Sequence, residues 1–355
     1  MKKSGKVIKW ILLALLSVIV LFFAVRAIGQ VVNRRVPDGG INESGYVEIN
    51  GVKQWISIYG QDIENPVLLY LHGGPGSSTS SLDYAITRKF SDVFTVVTWD
   101  QRNCGKSWSK EQGSIALTEE LMMSDAVELT KYLLDYLGKD RLTLYGHSWG
   151  TIYGANLALK YPEYYNAFIG AGQMVDLREN ETAFIEAAKE WAADDPKLLE
   201  KLSGITEDDL SMDYFMEKNR IMEKYGYNSS ASEIDYSPVG AVIFNPYYSL
   251  ADWVDYLRWS RSMSADDSVY VKFMLDGELE KFSLTTGDAY QVPYYNINCD
   301  KDYQTNRFIA QEYFDSITAP TKKMYYLENA GHLSPLYRSE EISGIIHEIA
   351  EEIYG

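Results

Sequence analysis

The chain has 355 residues, 46% hydrophobic and 23% charged, with 26 Gly and 10 Pro. That is the composition of a globular protein with room for a sizeable core, not of a disordered or fibrous one. Two cysteines exclude a disulfide scaffold and a Cys-ligated zinc module, and four histidines leave little material for a His-built metal site. The formal charge of −17 is uneven: seven of the 33 basic residues and none of the 50 acids fall within residues 1–35, so the rest carries about −24. A body that acidic offers nucleic acid no electrostatic footprint.

Trp10 to Val25 (WILLALLSVIVLFFAV) carries no charge, follows four lysines and closes on Arg26. Extended to Ile28 at ~1.5 Å per residue, it nearly matches a hydrocarbon core of ~30 Å. The alternative is a cleaved signal peptide, whose apolar stretch runs ~7–15 residues. The best small-residue site for cleavage, Val25-Arg26-Ala27, sets an arginine just before the cut, so an uncleaved signal-anchor is expected. Residues 1–9 then form a short cytoplasmic segment, 10–28 the transmembrane helix and 29–43 a linker. The lysines ahead of the span favour an inside N-terminus, placing the body outside the membrane of a bacterial cell. Asn-x-Ser/Thr triplets at Asn42, Asn180 and Asn228 occur at about chance frequency.

Beyond the linker the pattern alternates, GYVEI then VKQWISIY, with Asn50-Gly51 between them, which signals a hairpin because both turn positions need positive φ. Short apolar runs at Val67–Leu71, Phe94–Trp99, Leu142–Tyr145 and Ala167–Ala171 then alternate with helical patterns at Glu119–Leu137 and Thr151–Lys160. Strand–helix alternation predicts a mostly parallel sheet covered on both faces. Residues 175–290 break this rhythm: they read as helical and are rich in Trp, Tyr and acids. Strand-like VPYYNIN (292–298) and KMYYLE (323–328) follow, then a helix from Ser339. The organisation is an α/β core over 44–174 and 291–355, interrupted by a helical lid over 175–290.

Chemistry collects at the strand ends. Gly146-His147-Ser148-Trp149-Gly150 follows the strand LTLY and opens a helix, the setting in which G-x-S-x-G marks a nucleophile on a strained turn. A serine needs a base. His147 adjoins the turn and should point beneath it, His72 begins a glycine loop, and His347 lies inside the last helix. That leaves His332, just after KMYYLE. The partner that orients the base should follow VPYYNI, where Asp300 and Asp302 are both available; spacing alone does not separate them, and Asp302 is preferred. An oxyanion hole needs two backbone N–H donors. Trp149 supplies one, and the His72-Gly73-Gly74-Pro75-Gly76 loop the other, assigned to Gly74.

HGGPG (72–76), WDQRNCGKS (99–107), GHSWG (146–150), the Asp302 region and Gly331-His332 together resemble the proline iminopeptidase-like branch of the α/β-hydrolase family. The resemblance covers roughly residues 44–175 and 290–355. It implies an α/β-hydrolase fold and a serine peptidase working without metal or cofactor on N-terminal residues of peptides. One departure is Asn103 where the family has Gly after Arg102. Members hold the substrate's amino terminus with lid carboxylates, and Glu181 and Glu186 are the acids expected there, although the Trp-rich acidic segment of dedicated proline iminopeptidases is missing. The lid tyrosines, Tyr247, Tyr248, Tyr256 and Tyr270 among them, could line an apolar pocket or simply pack. A membrane-tethered carboxylesterase or lipid hydrolase on the same triad is the second reading, with a small ester as substrate. Cys104 and Cys299 are not expected to pair.

Overall fold

A computed structural model describes residues 2–207, 209–227, 234–263, 265 and 268–355; Asn228 lies outside the described residues. The chain begins with helix α1 (Lys2–Asn33), whose stretch Lys6–Asn33 is long and apolar enough to cross a membrane. Strands β1 (Ile41–Ile49) and β2 (Val52–Gly60) form the hairpin, with φ of 45° at Asn50 and 74° at Gly51. The link between helix and hairpin is shorter than the sequence suggested, 34–40 rather than 29–43. The helix continues because its last turns dock onto the body, and the strand starts early because Ile41 still pairs with Gly60.

The core continues through β3 (Val67–Leu71), α2 (Asp83–Thr87), β4 (Thr95–Asp100), α3 (Glu119–Leu137), β5 (Leu142–His147), α4 (Trp149–Lys160) and β6 (Tyr165–Ala171). Among the described residues, six α-helices intervene: α5 (Leu177–Trp191), α6 (Pro196–Ser203), α7 (Met212–Tyr225), α8 (Pro238–Phe244), α9 (Leu250–Met263) and α10 (Val269–Leu275). Then come β7 (Tyr294–Cys299), α11 (Arg307–Ser316), β8 (Lys322–Leu327), α12 (Ser334–Tyr337) and α13 (Ser339–Tyr354).

The eight strands form one sheet in the order β1-β2-β4-β3-β5-β6-β7-β8, antiparallel where β2 meets β1 and β4, parallel elsewhere. Because alternate strand residues face opposite sides, Leu69, Leu71 and Leu144 pack on one face with Met122, Leu129 and Ile152 from α3 and α4. Leu68, Tyr70 and Tyr145 pack on the other with Ile342, Ile346 and Ile349 from α13. That double covering is why β3 reads as an unbroken apolar run and β4 and β5 as short, mostly apolar ones. Helix starts follow local chemistry: Thr118 caps α3 by accepting from Leu121 N, and Asp176 caps α5 by accepting from Glu179 N. Helices α5 to α7 carry a core of their own around Phe184, Ile185, Leu202, Tyr214 and Ile221.

Candidate active site

The register pairs Leu71 with Gly146, Gly146 with Gly170 and Cys299 with Leu327, so the C-terminal ends of five parallel strands lie side by side. Clefts at such ends are the usual ligand position in open α/β sheets. Ser148 stands between β5 and α4 with φ 56° and ψ −123°, a conformation few L-residues adopt, and its N–H donates to Ala171 O at 3.0 Å. The sharp turn needs glycine on both sides: a Cβ on Gly146 would fall 2.2 Å from Gly150 O, and one on Gly150 would fall 2.1 Å from Leu71 O.

His332 Nε2 lies 2.9 Å from Ser148 Oγ, and His332 Nδ1 lies 2.8 Å from Asp302 Oδ2. Asp302 is buried and well held: Oδ1 accepts from Gln304 N at 2.8 Å and Thr305 N at 2.9 Å, and Oδ2 accepts from Thr305 Oγ1 at 3.0 Å. Burial by itself would raise this carboxyl's pKa, but the charge and hydrogen bond of His332 and those from Thr305 outweigh it and hold it below the ordinary carboxylate range. The two candidate acids separate here by role. Asp300 accepts from Asn329 N and Ala330 N, bracing the loop that carries His332, while Asp302 touches the imidazole itself.

The remaining histidines hold backbone. His147 Nε2 meets His332 O at 3.0 Å, beneath the turn. His72 Nε2 accepts from Gln101 N at 3.3 Å, so Nδ1 carries the hydrogen and donates to Gly73 O at 2.8 Å. His347 lies on α13 with Asp92 as partner, at 2.9 Å. Burial drops His72 to a pKa of about 4, and burial with the neighbouring His332 charge drops His147 to about 3, so both are neutral in the folded chain. Unfolded, they would take up protons near pH 6.5. The unfolded chain therefore binds more protons, and the stability these groups contribute is full above pH 6.5 and lost as pH falls from there toward about 4. Asp100, raised to about 6 mainly by burial, opposes this by releasing a proton on unfolding near pH 5. Substituting His72 or His147 by Asn is thus expected to lower proton uptake on unfolding at pH 5 by about one proton each, relative to the parent, as read by urea titration in weakly buffered solution.

Trp149 opens α4, so its N–H points from a helix N-terminus toward Ser148. Its indole is buried and donates to Gln101 Oε1 at 3.1 Å. Gly74, at φ 124°, lines the cleft, and so does Gly73, which stands closer still: a Cβ there would lie 3.1 Å from Ser148 Cβ. Gly73 and its brace His72 were not singled out by sequence, although the glycine run pointed to the loop. Thr305 was missed too; the Asx turn of Asp302 closes on Gln304 N two residues on, and Thr305 adds its amide and hydroxyl one residue later.

The cleft at Ser148 is a cavity of about 320 Å³ lined by Gly73, Gly74, Ser148, Asn219, Gln304 and His332, among others. Through Gly74, Ser77 and Gln304 it adjoins a second cavity of about 430 Å³, walled by Phe215, Tyr256, Trp259, Met263, Tyr270 and Met274. Of the four lid tyrosines named above, Tyr256 and Tyr270 face this cavity, whereas Tyr248 bonds Ser80 and Tyr247 bonds Asn42 in the packed wall. Trp259 Nε1 and Gln304 Oε1, both buried atoms, have no hydrogen-bond partner among the described residues.

Neither lid acid reaches these cavities. Glu181 is buried in α5, where Lys218 of α7 donates to both its oxygens at 2.7 and 2.9 Å and Tyr214 Oη donates as well. A carboxylate so neutralised is not available to an amine, and its partner lies 37 residues away, beyond the reach of a local pattern. Glu186 is an exposed residue on the outer face of the same helix. Cys104 and Cys299 are both buried and are not joined in a disulfide.

Residues 66–204 match the family described as the alpha/beta hydrolase fold. The chain is an α/β-hydrolase-fold protein. Within that fold, two of its relatives carry aminopeptidase names. It is 26% identical over 300 residues to the probable aminopeptidase YbaC of Bacillus subtilis (strain 168), covering 81% of this chain and 89% of the relative. It is 23% identical over 320 residues to the proline iminopeptidase of Heyndrickxia coagulans, covering 87% of this chain and 99% of that one. Among solved structures, a bacterial membrane phospholipase A superposes with a TM-score of 0.59 at 14% identity, covering 99% of both chains, a likeness of fold that includes the N-terminal helix.

Proposed function

We propose that the protein is a serine hydrolase, held at a membrane by α1 with its body on the extracytoplasmic side, that opens carboxylic acyl bonds through an acyl-enzyme on Ser148. The observation that carries this is the unbroken line Ser148 Oγ, His332, Asp302, with steps of 2.9 and 2.8 Å. In this reading His332 Nε2 takes the hydroxyl proton as Oγ attacks the carbonyl carbon, and Asp302 stabilises the imidazolium. The tetrahedral oxygen meets the Trp149 N–H and a donor from the Gly73-Gly74 loop. The proton passes to the leaving group, and a water activated by His332 then clears the acyl group.

The names of the relatives support an N-terminal peptide bond as the substrate, hence an aminopeptidase of the proline iminopeptidase type. A specific observation supports the ester reading as second: among the described residues, no Asp or Glu lines either cavity, so an ammonium group would find no counter-charge there. The test is a substrate panel on the full chain in detergent: prolyl and other aminoacyl arylamides, their N-acetylated forms, and a short acyl ester. An aminopeptidase cleaves the free amines and loses most activity on acetylation. Ester cleavage alone would keep the Ser148 chemistry and reject the peptide substrate.

A further inference from the structure

The C-terminal turns of α1 are fastened to the helical insertion. Arg26 donates to Tyr248 O at 2.6 Å, Gln30 to Asn245 O at 2.7 Å, Asn33 to Phe244 O at 2.9 Å and Arg34 to Pro246 O at 2.9 Å. Gly29 allows this approach, since a Cβ there would fall 2.3 Å from the Phe244 ring. Arg26 is also where the uncharged run ends. The level at which α1 would leave a bilayer is therefore the level of residues 244–248, and α9 begins two residues later at Leu250.

Helix α9 has two apolar faces. Tyr256, Trp259 and Met263 turn inward and wall the larger cavity. Leu250, Val254 and Leu257, spaced 4 and 3 residues apart on the opposite face, are 53%, 49% and 58% exposed. Val239 on α8, the helix against which α1 packs, is 69% exposed. Arg258 and Arg261 flank the outward stripe; Arg258 is ion-paired with Asp255 at 2.8 Å, and Arg261 adds a cation on a body of strongly acidic charge. An apolar stripe edged by arginine is the pattern of a helix lying in a membrane interface.

We infer that the outward face of α9, with Val239, rests on the lipid leaflet from which α1 emerges, and that the cavity beside Ser148 is served by amphiphilic acyl substrates held in that leaflet. The contact rests on α1 spanning the membrane, and the substrate route rests on the serine-hydrolase reading. Helix α9 is then a single-helix wall with lipid on one side and the substrate cavity on the other, and exposed Ser260 at the cavity's edge marks where the two meet.

The test uses the full chain in vesicles of phosphatidylcholine and phosphatidylglycerol containing spin-labelled phospholipid. Single cysteines at Val18, Val254, Leu257 and Asp140 carry an environment-sensitive fluorophore; the native Cys104 and Cys299 are buried. Asp140 precedes β5, at the sheet edge opposite Ser148. Quenching at Val18, Val254 and Leu257 but not at Asp140 is expected. Quenching at Val18 alone would overturn the inference and keep the membrane span; no quenching at Val18 would overturn both. A blue-shifted but unquenched probe on α9 would mean that protein covers the face, which also overturns it. In the kinetic arm, Val254→Asp combined with Leu257→Asp is expected to slow turnover of a vesicle-embedded ester about tenfold and leave a short soluble ester unchanged. Equal loss on both esters would overturn the substrate route. No turnover of either ester by the parent chain, with α9 still quenched, would sink the hydrolase reading and leave the lipid contact supported.

Discussion

Replacing Ser148 with alanine is expected to lower turnover by about 10⁴–10⁶, with the fold intact. The size follows from the arrangement: the hydroxyl at His332 Nε2 is that of Ser148, and without it what remains is the smaller contribution of binding and the oxyanion donors. Asp302→Asn should fall near the lower end, about 10⁴, because Asn cannot hold the Nδ1–H tautomer while stabilising the imidazolium. The measurement is kcat on the best arylamide or ester of the panel, with circular dichroism to show that the variant is folded. Unchanged turnover in pure Ser148→Ala protein would sink the mechanism.

The second large effect lies away from Ser148. Lys218 and Glu181 are 0% and 1% exposed, with one principal partner each in a protein interior. Lys218→Met should cost about 3–5 kcal/mol, because it leaves the buried Glu181 charge without a counter-cation. Converting both partners, Glu181→Gln with Lys218→Met, should recover at least half of that loss: the amide oxygen can accept from Asn180 while the NH2 donates to Tyr214 Oη, and no buried charge remains. Urea unfolding of the two variants beside the parent decides it, and a double variant less stable than Lys218→Met would refute the account. The pair also reaches the active site. Asn180 donates to Gln304 O at 2.7 Å and accepts from Asn306 N, so α5 and α7 grip the loop whose Gln304 and Thr305 amides hold Asp302. In the single variant, activity should therefore decline at denaturant concentrations below the global transition. An amine-binding acid would behave differently, since its loss would raise KM for free-amine substrates and leave stability unaltered.

Much of the core was legible because its signals are local. Buried parallel strands are unbroken apolar runs, so Val67–Leu71 is a strand at the same residues by pattern and in the structure, and Glu119–Leu137 is likewise a helix end to end. The Asn50-Gly51 turn announces itself through two positions that require positive φ. Ser148 was legible for the same reason: the steric demands of the turn are written in the flanking glycines. The histidine and acid could be approached by elimination, because only four histidines exist and chain order restricts the acid to one loop.

What lay beyond the sequence depends on contacts between distant segments. Asp300 and Asp302 are both acids after the same strand, and only the fold of residues 302–307 turns one toward His332 and the other toward the Asn329-Ala330 amides. Glu181 and Glu186 are two acids on one helix. A lysine 37 residues away makes the first a buried ion-pair partner, and the second is left in water. The docking of α1 on residues 244–248 joins segments more than 200 residues apart. The sequence by itself determined the α/β core, the nucleophile turn and an apolar helix of membrane-spanning length, because backbone sterics and hydrophobic periodicity act over a few residues. Only the tertiary structure decided which acid faces the histidine, which lid carboxylate is neutralised and which face of α9 meets solvent, because charge pairing and burial are properties of the neighbours the fold brings together.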